Sequence, residues 1–200
     1  MGRQEEVVKE RLKKLEKLRR SKINPYLSKY SVKNISSELH EKYSELKKGE
    51  RTKVSASVSG RIMSIRDMGK IIFATIYDGF GNIQIILQKE ETPEKMIELF
   101  REYIDSGDFL SAEGSIFRTE RGELSILITK VVLLTKSIFP LPEKWHGIQD
   151  NEERLRKRYL DILMNSEVKN MFIRKSKFWN SMRSFLLKRG FLEVETPILE

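Results

Sequence analysis

The sequence contains no cysteine and only two histidines, His40 and His146, among its 200 residues. Without cysteine there is no disulfide bond, thiolate chemistry or cysteine-ligated zinc, and neither histidine lies in a metal-ligand spacing. No apolar run approaches the roughly 18 residues of a membrane span. Charges throughout the first twenty residues argue against a signal peptide. We expect no metal site in this sequence, and a reducing, cytoplasmic setting is compatible with it.

Positive charge is concentrated at the two ends of the sequence, and the formal net charge is +9. Residues 1–59 hold 16 Lys/Arg against 8 Asp/Glu, residues 60–139 hold 10 against 12, and residues 140–200 hold 12 against 9. An excess of basic residues is typical of proteins that bind nucleic-acid phosphates, although it also serves solubility alone. Because the middle is slightly acidic, any nucleic-acid contact there must depend on base stacking and on hydrogen bonds to base edges.

The amino-terminal part favours two helices. Residues 3–20 have a thin apolar stripe at helical spacing with charges elsewhere, and Asn24-Pro25 ends this helix. The stripe consists of Val8, Leu12, Leu15 and Leu18 or Arg19. Such a helix could contact an RNA backbone, but more often it is a solvated helix packed by one stripe. A second, shorter helix is predicted over 34–48, with Gly49 after it.

The period of the apolar residues changes to two in the middle of the sequence, which predicts strands. Asp78-Gly79-Phe80-Gly81-Asn82 is typical of a hairpin turn, and Thr92-Pro93 opens a helix to about Ile104 whose inner stripe is Met96, Leu99, Phe100 and Tyr103. Three strands, a helix and two strands is the order of an OB-fold, a five-stranded Greek-key barrel whose second and third strands bind nucleic acid. A small sandwich would show similar strands. The strand-like runs are 52–66, 70–78, 82–88, 108–118 and 123–136.

The barrel pattern ends at Phe139-Pro140-Leu141-Pro142, because proline is excluded from a central strand. Asp150 with Glu153 forms a capping-box-like start for a helix to about Met164. A longer helix follows over 166–189, and then Gly190, a strand-like run and a Thr-Pro stop. The predicted domains are a helical extension at 1–51, the barrel at 52–139, a hinge with a short helix at 140–165 and the start of a further domain at 166–200.

Three side chains of the barrel are candidates for contacting a base. Alternation places Phe73 on one face of the second strand and Gln84 on the matching face of the third, with Arg66 at the margin of that face. Single-stranded RNA is recognised when an unstacked base lies on an aromatic ring and its edge meets donors and acceptors, and Arg and Gln match the edge of uracil. Taken singly, each residue also fits an ordinary barrel wall.

The spacing of Gly60, Arg66, Gly69, Phe73 and Gln84 resembles the anticodon-binding OB-fold shared by the lysyl-, aspartyl- and asparaginyl-tRNA synthetases. The resemblance implies that Arg66, Phe73 and Gln84 bind the central uridine of the anticodon. Glu123 matches a carboxylate that the family uses on a flanking anticodon base, although a solvated glutamate at a strand start is equally compatible. Three stretches resemble the lysyl branch or its subclass: 118–126, 141–147 and 154–161.

The run from Gly190 to Pro197 resembles motif 1 of class II aminoacyl-tRNA synthetases. The resemblance implies the first helix and strand of an antiparallel α/β catalytic domain and a homodimer interface that includes Phe191, Val194 and Pro197. It also implies a lysine–tRNA ligase that uses ATP and Mg²⁺ to form lysyl-adenylate and then charges its tRNA. Motifs 2 and 3 lie beyond residue 200, so no catalytic residue is assigned and we expect this stretch alone to be inactive.

Two alternatives remain at this point. One is an aspartyl- or asparaginyl-tRNA synthetase of the same subclass, which shares the barrel and the first motif. The other is a stand-alone OB-fold protein that binds tRNA or single-stranded nucleic acid without catalysis. Residues after Glu200 that carry adenylate-binding arginines would exclude the second alternative.

Overall fold

The computed structural model describes residues 2–142 and 150–197. The chain divides into two compact units, residues 1–140 and residues 141–200. The first unit contains all five strands and three helices in the described ranges. Its elements are α1 (Arg3–Arg20), α2 (Ser36–Lys42), β1 (Arg51–Asp67), β2 (Ile71–Tyr77), β3 (Asn82–Gln88), α3 (Glu94–Tyr103), β4 (Phe109–Arg118) and β5 (Leu124–Thr135).

The five strands form a closed barrel in the order β1-β2-β3-β5-β4, which confirms the predicted OB-fold. Only the β3–β5 pair in this barrel is parallel, and the other neighbours are antiparallel. Side chains alternate along each strand, so every second residue faces the core and the residues between them face outward. In β2, for example, Ile72, Ala74 and Ile76 are buried in the core while the residues between them are only half-buried.

Strand β1 is long enough to pair with two neighbours in turn. Its first part pairs with β4, from Ser55 to Arg61, and its last part pairs with β2, from Arg61 to Asp67. Gly60 lies at the changeover, where a Cβ atom would overlap the carbonyl oxygen of Tyr77. Glycine is therefore required there by the close approach of two backbones rather than by a turn.

Helix α3 packs against the barrel core through Ile97 and Phe100, which are buried. The predicted inner stripe of Met96, Leu99, Phe100 and Tyr103 is confirmed, but it missed Ile97. Met96, Leu99 and Tyr103 lie at the edge of the core, partly buried against it.

Helix α1 packs along a stripe different from the predicted one. Leu15 and Leu18 are buried as expected, but Leu12 is 43% exposed and Arg11 is buried in its place. The Arg11 guanidinium donates hydrogen bonds to the carbonyl oxygens of Ser106, Ser137 and Phe139. An arginine satisfied by three carbonyls can occupy a buried position that a hydrophobicity pattern assigns to an apolar residue.

Helix α2 is shorter than the predicted 34–48. Asn34 lies before the helix, because its N–H donates to the carbonyl oxygen of Ser57 in β1 and its side-chain oxygen accepts from the N–H of Ser57. The carboxylate of Asp78 then caps the helix, accepting from the backbone N–H of Ser36 at 2.6 Å and from its hydroxyl at 2.8 Å. At the other end the Arg118 guanidinium donates to the carbonyl oxygens of Tyr43 and Ser44.

The second unit contains α4 (Asn151–Arg156), α5 (Arg158–Met164) and α6 (Ser166–Leu187). The helix predicted from Asp150 to Met164 is broken at Lys157, whose backbone has φ −108 and ψ 45. Buried Asp161 accepts hydrogen bonds from the guanidinium groups on both sides of the break, Arg154 at 3.1 Å and Arg158 at 2.7 Å. Asn165 caps the final helix, and its side-chain oxygen accepts a hydrogen bond from the N–H of Glu167.

The end of the second unit differs from the prediction. Gly190 has a φ of +84, as expected after a helix, but residues 191–197 form no strand. A strand needs a hydrogen-bonded neighbour, and the described part of this unit supplies none. The predicted lysyl-like stretch 141–147, with His146, falls mostly outside the described residues, as do residues 198–200. No helix in the described ranges is long and apolar enough to cross a membrane.

Candidate nucleic-acid interface

The outer wall of β2 and β3 brings two of the predicted residues to one face. Phe73 pairs with Ile86 and Thr75 pairs with Gln84, so Phe73 and Gln84 are diagonal neighbours across the two strands. Diagonal neighbours on one face are about 7–8 Å apart, within reach of an aromatic ring and a long side chain. Phe73 is half-buried, and it is not among the described residues that pack against the core. Its ring therefore lies on the outside of the barrel.

Arg66 completes this arrangement from β1. It pairs with Phe73 in the β1–β2 ladder, and its guanidinium carbon lies 5.2 Å from the centroid of the Phe73 ring. Across the described residues the Arg66 side chain makes no hydrogen bond or ion pair, and it is exposed. Its donors are therefore available to a ligand. Four other arginines of the first unit are already engaged by carboxylates or carbonyl groups: Arg51, Arg61, Arg101 and Arg118.

The turn beside Arg66 is fixed by a second arginine. Arg101 of α3 donates two hydrogen bonds to the carboxylate of Asp67, at 2.8 and 3.1 Å, and another to the carbonyl oxygen of Gly69. The Arg101 hydrogen bonds, with one from the Gly69 N–H, hold the pKa of Asp67 below its ordinary value. Asp67 is the carboxylate nearest to Arg66 in the sequence. Because Arg101 neutralises Asp67, that carboxylate does not pair with Arg66. Gly69 has a φ of +81, which favours glycine at this position.

Gln84 is oriented by a residue that the sequence did not reveal. The hydroxyl of Ser125 donates a hydrogen bond of 2.9 Å to Oε1 of Gln84. The contact exists because β3 and β5 are parallel neighbours in which Gln84 pairs with Ser125. With Oε1 engaged, the amide group Nε2 is the part of Gln84 that can donate to a ligand. No local pattern marks Ser125, which is fully buried.

Glu123 lies immediately before β5, on the side of the wall shared with Ser125. Its backbone is held in the β4–β5 turn, because its N–H donates to the hydroxyl of Thr119 and its carbonyl oxygen accepts from the Thr119 N–H. Its side chain is exposed, and within the described residues the carboxylate has no hydrogen-bond or ion-pair partner. A fixed backbone with an unpaired carboxylate can accept hydrogen bonds from a ligand.

The candidate face does not line the cleft that the described residues form in the first unit. A cleft of about 240 Å³ lies elsewhere, between α2 and β1, and none of Arg66, Phe73, Gln84 or Glu123 lines it. Among the described residues no group of carboxylates and histidines is placed to hold a metal ion. An aromatic ring beside hydrogen-bonding side chains suits the candidate face to base stacking and to hydrogen bonds with base edges.

The three residues predicted at a dimer interface lie in the second unit. Phe191 is 62% exposed and Val194 is 65% exposed, and Pro197 is exposed as well. One side of α6 adds more uncovered apolar surface, and no described part of the second unit packs over it. Its exposed residues include Met171, Trp179, Met182, Phe185 and Leu186.

Two segments of the chain match known protein-family models. Residues 56–134 match the OB-fold nucleic-acid-binding domain of the tRNA anticodon type. Residues 150–200 match the class II tRNA synthetases of the D, K and N group. The first match spans most of the barrel, and the second begins just before α4.

Curated relatives decide between the branches of that group. The lysine–tRNA ligase of Dehalococcoides mccartyi is 44% identical over 192 residues, which cover 96% of this chain and 38% of that protein. The lysine–tRNA ligase of Lactococcus lactis is 44% identical over 194 residues, covering 96% and 39%. This chain is homologous to the amino-terminal part of class II lysyl-tRNA synthetases.

A more distant relative agrees with this assignment. The lysine–tRNA ligase of a Nostoc species is 39% identical over 204 residues, which cover 98% of this chain and 36% of that protein. The chain thus spans a little over a third of the length of the synthetases that it matches. The resemblance described from the residues alone, to the lysyl branch through motif 1, is confirmed.

Proposed function

We propose that this protein is a lysine–tRNA ligase whose barrel recognises the anticodon of its tRNA. The whole enzyme would use ATP to form lysyl-adenylate and transfer lysine to the tRNA. The observation that supports this most is the Arg66, Phe73 and Gln84 group, which lies on one outer face of a barrel homologous to lysyl-tRNA synthetases.

The central uridine of the anticodon would stack on Phe73, as unpaired bases do on aromatic side chains. Uracil offers two carbonyl acceptors. Nε2 of Gln84 is oriented to donate to one of them, and the unpaired guanidinium of Arg66 can donate to the other or to a phosphate. Cytosine has an amino group, which is a donor, in place of one of these carbonyl acceptors. That amino group would face a donor of the protein and could not form the hydrogen bond.

The charge distribution supports separate roles for the candidate face, which would select the base, and for the basic flanks, which would attract the phosphates. Residues 60–139 hold 10 Lys/Arg against 12 Asp/Glu and are slightly acidic, so selectivity would come from the stack and the amide. Attraction of the phosphates would come from the basic flanks, including the exposed Lys13, Arg19 and Arg20 of α1. The buried stripe of α1 also gives this helix a structural role.

ATP, Mg²⁺ and lysine are expected substrates and cofactors of the whole enzyme. The described residues offer no carboxylate cluster for a metal ion, so they do not fit a magnesium site. We assign none of these three ligands to any residue of the chain.

A homodimer is the proposed explanation for the exposed apolar surface of the second unit. Phe191, Val194 and Pro197 together with the apolar side of α6 would pair with the same surface of a second copy, as in an isologous interface. Sedimentation equilibrium of the chain tests this. A monomer at every concentration would contradict it.

The decisive experiment for the barrel uses the 200-residue chain and a labelled RNA hairpin whose loop carries the lysine anticodon. We expect tighter binding to the hairpin with a central uridine than to one with a central cytidine. Arg66→Ala and Gln84→Ala should reduce that preference, and Lys53→Ala, an exposed residue of β1, is the control. Equal binding of both hairpins by the native chain would exclude anticodon recognition.

The amino acid is tested separately on the whole protein. Lysine-dependent exchange of pyrophosphate into ATP is expected. Exchange with aspartate or asparagine instead would favour the other branches of the subclass, and no exchange with any amino acid would favour a non-catalytic tRNA-binding protein.

A further inference from the structure

Two turns of the barrel lie side by side next to the candidate face. The β2–β3 turn (residues 78–81) leads into β3, and the β4–β5 turn (residues 119–123) leads into β5. Strands β3 and β5 are parallel, and Gln84 pairs with Ser125. Because parallel neighbours in register start at the same edge of a sheet, the turns that precede them lie at the same end of the barrel.

The barrel wall joins these two hairpins by a short ladder. The β3–β5 pairing covers three residue pairs, from Gln84–Ser125 to Ile86–Leu127, whereas the β2–β3 pairing covers seven. A ladder with few hydrogen bonds fixes the spacing of its strands less firmly than a long one does. A further connection between the two hairpins would therefore stabilise their spacing.

Helix α2 is attached to the β2–β3 hairpin at its amino-terminal end. The Ser36 hydroxyl donates to the Asp78 carboxylate at 2.8 Å, and the same carboxylate accepts from two backbone N–H groups of the turn. One helical turn farther along, Nε2 of His40 donates to the carbonyl oxygen of Asn82 at 2.9 Å. Asn82 is the first residue of β3, two positions before Gln84.

The carboxyl-terminal end of α2 is attached to the β4–β5 turn. The Arg118 guanidinium donates to the carbonyl oxygens of Tyr43 at 2.8 Å and of Ser44 at 3.2 Å, just after the helix. It also donates to the carbonyl oxygen of Gly122 in the turn, at 2.8 Å. The guanidinium can make these three contacts together because its N–H donors form a fixed fork. One side chain thus joins the end of α2 to the turn before β5.

Apolar packing fixes α2 at one point. The helix has seven residues, and Leu39, its only apolar residue, is buried in the core. A helix of this length is not stable by itself, so its position depends on the bonds at its two ends. At about 1.5 Å per residue it is about 10 Å long, which is enough to bridge turns of strands about 4.8 Å apart.

We propose that α2 holds the two turns at a fixed spacing and so presets the face that binds the anticodon. Ser36, His40 and Arg118 are then positioning residues that do not touch the RNA. This inference rests on the proposed anticodon recognition. Gln84 lies on one hairpin and Ser125, which orients it, lies on the other, so a change in spacing would misplace the amide. A preset face binds more tightly because less conformational freedom is lost on binding.

The test uses the 200-residue chain and the two labelled hairpins. Ser36→Ala/His40→Ala removes two side-chain bonds at one end of α2 and leaves the backbone bonds of the β2–β3 turn in place. Arg118→Lys keeps the positive charge but lacks the fork that reaches three carbonyl groups. Each variant should weaken binding of the central-uridine hairpin by about 2- to 10-fold, the effect of one additional mobile side chain to be ordered. Ser44→Ala is the matched control, because the Ser44 hydroxyl donates locally to the carbonyl oxygen of Glu41 at 2.8 Å.

A mutant cycle separates one shared role from two local roles. If α2 must be attached at both ends, releasing either end loses the whole effect. The combined variant, with all three substitutions, should then bind no more weakly than the weaker of its two parents. Losses of binding free energy that add would show that each end acts on its own turn, which would overturn the proposal. Native affinity in both parents would overturn it as well.

Amide hydrogen exchange gives a measurement that does not depend on RNA. In Ser36→Ala/His40→Ala, exchange should become faster at the N–H groups of Gly122 and Glu123 in the other turn, which are hydrogen-bonded to Thr119. Faster exchange spread evenly over the barrel strands would indicate general destabilisation and count against the proposal. Unchanged exchange in the β4–β5 turn would also overturn it. This measurement decides the matter if Arg118→Lys does not fold.

The two proposals fail differently. If the native chain prefers the central uridine and both variants bind as the native chain does, α2 has no positioning role and anticodon recognition stands. If the native chain binds neither hairpin, or binds both equally, the proposed function itself is overturned. The exchange measurement still shows in that case whether α2 connects the two turns.

Discussion

The Ser125 hydroxyl donates a hydrogen bond of 2.9 Å to Oε1 of Gln84, and this contact orients the amide on the outer wall of the barrel. Ser125 is fully buried, and the second acceptor that its hydroxyl faces, the carbonyl oxygen of Glu123, is farther away at 3.3 Å. The bond leaves Nε2 as the group available for a ligand. A donor in that position favours a base with a carbonyl group over one with an amino group.

Ser125→Ala is expected to reduce the preference for uridine over cytidine at the centre of the anticodon. Without the hydroxyl, the Gln84 amide can turn and present Oε1 to the amino group of cytosine. The loss should be about 1 kcal/mol, the net value of one hydrogen bond. Competition binding with the two hairpins measures it. Ser115→Ala, a half-buried serine of β4, is the control, and an unchanged preference in Ser125→Ala would show that the bond does not orient Gln84.

Phe73→Ala is expected to weaken hairpin binding by about 1–3 kcal/mol, the value of one base–aromatic stack. The ring lies outside the core, so the free energy of unfolding should change much less than after a core truncation. Fluorescence anisotropy gives the affinity and urea denaturation gives the stability. Phe80→Ala removes a 70% exposed ring from the β2–β3 turn and serves as the control. Equal affinities of Phe73→Ala and the native chain would remove the stacking role.

Lys136→Met is expected to destabilise the first unit by about 3–5 kcal/mol, because it leaves the buried carboxylate of Asp108 without its cation. The Lys136 ammonium is fully buried and lies 2.5 Å from an oxygen of Asp105 and 2.7 Å from one of Asp108. Urea denaturation followed by circular dichroism measures the change.

Lys17→Met is the matched control for the Lys136 prediction. Lys17 lies 3.4 Å from Glu102 with both side chains about half exposed, and an exposed pair contributes less than about 1 kcal/mol. Similar losses of unfolding free energy from the two substitutions would show that burial of the Lys136 ion pairs does not increase their contribution to stability.

The cap that Asp78 supplies to α2 should make stability depend on pH in the acid range. Burial tends to raise the pKa of Asp78, but hydrogen bonds from Ser36, Gly81 and Phe80 outweigh it and hold the pKa below its ordinary value of 3.8. Between the folded pKa and 3.8 the unfolded chain binds more protons than the folded chain. The stabilisation is therefore complete above pH 3.8 and is lost as the pH falls through the folded pKa.

Asp78→Asn should remove that part of the acid sensitivity. Urea denaturation of both proteins between pH 2.5 and 6 tests it, with the difference in unfolding free energy expected to be largest near pH 6 and to shrink toward about pH 3. A difference that stayed constant over this range would mean that the charge of Asp78 is unimportant to the cap.

The strands and their faces could be predicted from the sequence because they depend on local repetition. The alternation of apolar residues indicates which residues of β2 and β3 face outward. Arg66, Phe73 and Gln84 lie on one outer face, as this alternation predicted. The predictions were wrong where burial or strand formation depends on residues that are distant in the sequence. Arg11 is buried because three carbonyl groups meet it, and residues 191–197 form no strand because no neighbour pairs with them.

By itself the sequence determined the order of the elements, the outward face of each strand and the family, since these depend on short-range periodicity and on motif spacing. Only the tertiary structure decided which outward residues become neighbours. The parallel pairing of β3 with β5 places Ser125 against Gln84, although about forty residues separate these strands. Such pairing follows from closure of the whole barrel, because every strand must find a partner on both sides.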